Sequence, residues 1–90
     1  MVYVIIEHRV KDYNMWRPIF NEHSAVRKKF GEKSSRVYQD SKEPNHVYVM
    51  FEWESEQKSR DFLEKSDLKE IMAKAGVVGK PDVHMLNAAF

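Results

Sequence analysis

Two histidines stand where the hydrophobic pattern calls for apolar side chains. His23 falls within the stripe Trp16, Ile19, Phe20, Val26, Arg27 and Phe30, whose three- and four-residue spacing marks one face of a helix. His8 occupies the apolar register of the alternating run Val2, Val4, Ile6, His8, Val10. A helix advances about 1.5 Å per residue and a strand about 3.3 Å. Counted from the turn at Lys11 and Asp12, His23 lies roughly 15 Å along the helix and His8 roughly 10–12 Å back along the strand. That offset of about one helical turn allows both rings to line one cavity between helix and sheet. An imidazole removed from water disfavours its charged form and serves as a base near neutral pH. One histidine is then a candidate to remove a proton, and the other to hydrogen-bond the developing oxyanion. The competing reading makes each a core histidine satisfied by a backbone carbonyl or a carboxylate.

The expected walls of such a cavity are aromatic. Trp16 and Trp53 offer flat surfaces with an indole N–H donor each, or simply fill the core. Phe20, Phe51, Phe62 and Met72 are expected to line the pocket without chemistry of their own, which suits a small hydrophobic or aromatic molecule. No metal site is expected. Three ligands must converge, only His8 and His23 do, and no HxH or HxxxH spacing exists. Nor is an organic cofactor expected, because three glycines form neither a phosphate loop nor a dinucleotide fingerprint.

Fifteen basic residues against fourteen acidic give a net charge of +1, which attracts the chain neither to nucleic acid nor to an anionic membrane. No apolar run approaches the roughly 20 residues of a membrane helix. The start MVYVIIEHRV lacks the basic lead of a signal peptide. Cysteine is absent, which excludes disulfides and thiolate chemistry and fits a cytoplasmic protein.

Ninety residues make a single domain, 1–90. Strands are predicted over residues 2–10, 34–40, 46–54 and about 82–88. One helix runs from a cap at Asp12 or Asn14 to Phe30, stopped by Gly31. If Asp12 is the cap, Pro18 lies inside the helix and implies a slight kink. Another helix starts at Ser55, breaks at KSDL with Ser66 recapping, and ends at Gly76. GVVGKP is read as the loop before the last strand. The order β-α-β-β-α-β predicts a ferredoxin-like α+β fold, a four-stranded antiparallel sheet with the helices on one face.

In that register Val4, Ile6, Val49, Phe51 and Trp53 face the helices. Tyr3, Ile5, Glu7, Arg36, Tyr38, Tyr48, Met50 and Glu52 face away. The second set resembles a subunit interface, so two sheets are expected to pack face to face as a homodimer. Glu7, Arg9, Arg36 and Glu52 are expected to form ion pairs across it, with His84 on the same face and His46 exposed. An RNA-binding sheet would carry basic residues among its aromatics, whereas HVYVMFEWE carries two glutamates.

The segments EHRVKDYNMWRPIFNEHSAVRKKFG, SRVYQD, NHVYVMFEWES and SDLKEIMAKAGVVGKPDV resemble the dimeric α+β-barrel superfamily that includes antibiotic-biosynthesis monooxygenases. Within it they are most similar to small uncharacterised proteins carrying the label "cyclase". The resemblance implies a homodimeric barrel and a cofactor-independent monooxygenase, cyclase or isomerase, or a non-catalytic binding protein of the same fold. VIIEHRV and FEWESEQ also resemble haem-degrading relatives, with His8 at a pocket-lining strand position and Trp53 at a pocket tryptophan. The stretch matching their haem-ligating histidine, Leu68 to Ala75, has no histidine, and Met72 is a weak ligand, so haem chemistry is not expected.

Overall fold

Alternation in a strand sends successive side chains to opposite faces, and the first strand follows it closely. In a computed structural model describing residues 1–90, Val4, Ile6, His8 and Val10 of β1 (Val2–Val10) are buried while the intervening residues are not. The chain continues through α1 (Tyr13–Glu22), α2 (Ser24–Phe30), β2 (Glu32–Gln39), β3 (His46–Trp53), α3 (Glu56–Lys65), α4 (Leu68–Lys74) and β4 (Val77–Asn87). All strand pairs are antiparallel, in the order β2-β3-β1-β4. This is the expected ferredoxin-like α+β arrangement. No helix is long and apolar enough to cross a membrane.

The core is the layer between the helices and one sheet face, built on Val47, Val49, Phe51 and Trp53 of β3 with Trp16, Phe62 and Ala75 from the helical side. The opposite face carries Tyr3, Ile5, Glu7, Tyr48 and Glu52, all half-buried, with Arg36, Tyr38 and Met50 exposed. Two charges there find partners within the chain. Glu7 meets the His46 ring at 2.7 Å, and Arg9 pairs with Glu43 of the β2–β3 loop. His46 is accordingly not exposed as expected. Its side chain is 15% accessible and stacks on Tyr48 at 4.8 Å.

Three local expectations are corrected. The first helix is two, because the chain breaks at His23 (φ −79°, ψ 0°). Asp12 is the cap, accepting from the Asn14 N–H at 2.9 Å, so Pro18 does lie inside α1. The last strand begins at Val77, and GVVGKP belongs to it. Val77 and Val78 pair with Val10 and Arg9, then the register shifts by two before Asp82 meets Glu7. The slack is taken up by a β-bulge opposite His8, where Gly79 adopts φ +74° and Pro81 has no N–H for the ladder. Turn-like residues thus mark an irregularity inside a strand. β2 likewise starts earlier than predicted, at Glu32.

Gly31 closes α2 at φ 114°, a backbone conformation that L side chains rarely adopt. A Cβ there would meet Lys58 Cδ at 2.8 Å, but that flexible stem can move and the backbone cannot. Gly31→Ala is therefore expected to cost about 1–2 kcal/mol, read as a lower urea midpoint with an unchanged slope.

Candidate functional site

Each helical arm is broken once, and each break leaves a carbonyl without its usual helical donor. At His23 no bond forms from the Ser24 N–H to the Phe20 carbonyl. Arg27 Nη1 donates to that carbonyl instead, at 2.7 Å. At the second break Ser66 Oγ donates to the Phe62 carbonyl at 2.6 Å and accepts from the Leu68 N–H. Asp67, released from capping α4, reaches across to His23, whose Nε2 lies 2.8 Å from Asp67 Oδ1. The two breaks are thereby joined. A carboxylate on one ring nitrogen fixes the orientation of the imidazole and favours the tautomer with its proton on Nε2.

Beneath this junction lies a cavity of about 40 Å³ bordered by both histidines. Seven of the eight expected site residues border it: Trp16, Phe20, Phe51, Phe62 and Met72 join His8 and His23, and only Trp53 does not. Trp53 is 1% exposed and packs on Phe62 at 5.1 Å and Phe51 at 6.1 Å, away from the hollow. Trp16 abuts His8 edge-on at 5.5 Å and stacks on Phe20 at 4.9 Å. The volume is small beside the several hundred cubic ångströms of ordinary ligand pockets and holds no more than a few waters. Its outer wall is α4, which contributes Leu68, Ile71 and Met72 and has no buried residue of its own.

The two imidazoles differ in environment. His23 is held by Asp67. His8 makes no hydrogen bond to another residue, and its Nδ1 is buried without a partner. Burial pushes the His8 pKa below the usual histidine value. Its own main chain opposes that shift, and the charge of His46 adds to it. His8 is therefore neutral at pH 7, with a lone pair that no protein group occupies.

Arg27, Asp67, Leu68 and Ile71 were not foreseen as part of this region, whereas Met72 of the same helix as Leu68 and Ile71 was. Arg27 was visible as the basic member of the apolar stripe. Its guanidinium is buried 3.9 Å from the Phe20 ring centre, with Nε 2.5 Å from Glu32 Oε2. Desolvation lowers the Arg27 pKa, and Glu32 counteracts it. No three His, Asp or Glu side chains converge as metal ligands.

Two outcomes are expected. His8 binds a proton less readily folded than unfolded, so acid favours the unfolded chain as pH falls below about 6.5 and down through the folded pKa. Melting temperature should fall from pH 7 to 5, and His8→Leu should remove part of that slope. Arg27→Met strands the Glu32 carboxylate and is expected to cost about 3–5 kcal/mol in denaturant titration, with Arg27→Met/Glu32→Leu recovering much of it.

No family model matches the chain, and no curated protein matches it in sequence. Among solved structures, a crystal structure of an antibiotic biosynthesis monooxygenase superposes with TM-score 0.76 at 17% identity, covering 99% of each chain. SnoaB, a cofactor-independent oxygenase from Streptomyces nogalater, gives 0.81 at 12% identity, over 99% of this chain and 93% of that one. Rv0793 from Mycobacterium tuberculosis gives 0.75 at 12%, over 99% and 95%. At such identities the likeness is one of fold, and at that level the resemblance read from the sequence holds: this chain has the fold of the antibiotic-biosynthesis-monooxygenase-like proteins.

Proposed function

We propose that the protein is a small-molecule enzyme that needs no organic cofactor and acts on a hydrophobic or aromatic metabolite between its helices and sheet. The observation that carries this reading is His8: a buried, neutral imidazole with no hydrogen bond to another residue, bordering a hollow that it shares with His23 and Trp16. An unsatisfied polar group in a core is costly, and such groups concentrate where a ligand completes them.

Oxygenation, cyclisation and isomerisation of an aromatic or enolisable substrate share a first step, loss of a proton to a base. His8 takes that proton. The imidazolium so formed offsets the charge of the oxyanion that remains, while His23, held in place by Asp67, lines the site with Trp16, Phe20, Phe51, Phe62 and Met72, which hold the ring and exclude water. The fold shared with a cofactor-independent oxygenase agrees with chemistry of this type. The hollow must enlarge to admit a ring, and α4 is the element to yield because it is the least buried part of the wall. The working unit is a cytoplasmic homodimer joined through the aromatic sheet face, as the half-buried Tyr3, Ile5 and Tyr48 suggest.

The size of the hollow favours a second reading, a protein of the same fold whose pocket stays closed and performs no chemistry. A thermal-shift screen of hydroxylated aromatic compounds separates the two, because binding to the folded state raises its melting temperature. The enzyme reading expects a hit that is turned over, with His8→Phe lowering turnover by about 10²–10⁴-fold while the fold is retained. A folded His8→Phe variant that keeps full turnover removes His8 as the base. The absence of any stabilising compound supports the closed scaffold.

A further inference from the structure

Beside the cavity, between α1–α2 and the edge strand β2, runs an open groove of about 510 Å³. Its charge is one-sided. Five cations, Arg17, Arg27, Lys28, Lys33 and Arg36, line it against a single carboxylate, Glu32. Glu32 is already engaged by Arg27, and none of the other four cations takes part in an ion pair. In a chain of net charge +1, this concentrates positive charge in one concave place.

Groove and cavity are adjacent, because Phe20 and Arg27 border both. Arg27 is the hinge between them. Its hydrogen bonds use Nε toward Glu32 and Nη1 toward the Phe20 carbonyl, so three of the five N–H donors of a guanidinium remain. Arg17 is pre-positioned along α1, its Nε on Asn21 Oδ1 and its Nη1 on the Tyr13 hydroxyl, both at 3.0 Å. Fixed guanidinium groups without a carboxylate partner favour planar oxyanions.

We propose that this groove binds an oxyanion and that the natural ligand is an aromatic molecule bearing a carboxylate or phosphate, its anionic end among Arg17, Lys28 and Arg27 and its ring in the His8–His23 cavity. The proposal rests on the cavity being a ligand site and adds the ligand's charge. Anionic end and apolar body then occupy two contiguous compartments of opposite character, divided by the Phe20 ring and the Arg27 guanidinium.

Calorimetric titration of the intact chain with 2-naphthoate, methyl 2-naphthoate, 2-naphthyl phosphate and inorganic phosphate tests it. A naphthyl anion is expected to bind about tenfold more tightly than the ester, with the margin shrinking at high salt. Arg17→Gln/Lys28→Gln, at exposed or half-exposed positions, should abolish most of that margin and leave ester binding unchanged. The ranking of naphthoate against naphthyl phosphate identifies which oxyanion is preferred. Equal binding of acid and ester overturns the anion site while leaving the cavity reading intact. Inorganic phosphate binding as tightly as naphthyl phosphate overturns the link to the cavity. If no naphthyl compound binds, both readings fail.

Discussion

Desolvation of polar side chains is the constraint around which this domain is organised. Five of its buried residues are polar, namely His8, His23, Arg27, Glu32 and Ser59. A buried polar group is tolerated when something nearby satisfies it. Four of the five have partners, and those partners define the helical layer. Arg27 holds Glu32 and the carbonyl exposed at the first helix break, His23 holds Asp67 at the second, and Ser59 Oγ turns back to the Glu56 carbonyl. The breaks are thus the means by which a two-helix layer accommodates charge in its interior. His8 alone is left over, and it lies beside the one internal hollow that both imidazoles touch.

Much of this was legible from spacing. Period-two alternation located β1 and the buried face of β3, and Gly31 and Ser55 marked helix ends as the structure has them. The aromatic stripe with its histidine located one wall of the cavity. The break at His23 was hidden because residues on either side keep helical spacing, and a single non-helical ψ leaves that pattern almost undisturbed. The start of β4 was obscured by Gly79 and Pro81, whose chemistry marks a turn and a bulge equally well. The Arg27–Glu32 and His23–Asp67 pairs are tertiary contacts, and no local period encodes which carboxylate meets which cation. Trp53 illustrates the same limit: its alternation placed it correctly on the helix-facing side, but not on which side of Phe51 and Phe62 the space would open.

The site joins rigid and yielding parts. His8 and Trp16 stand on the sheet and on α1, deep in the packed layer, whereas Leu68, Ile71 and Met72 belong to a seven-residue helix with no buried side chain. Isolated helices this short have little stability of their own, so α4 depends on its contacts and on the Ser66–Asp67 junction that starts it. Chemistry-bearing groups on the firm side and an apolar wall on the soft side suit a cavity that changes volume without misplacing its imidazoles.

The irregularity in β4 has an effect beyond His8. β4 is a margin of the sheet, and an unbroken margin would offer a row of donors and acceptors on which a foreign strand could template itself. Here the row is interrupted at mid-length by the bulge, by the exposed cation of Lys80 and by Pro81, which has no amide proton to give. Ribbon-like growth from this rim is disfavoured.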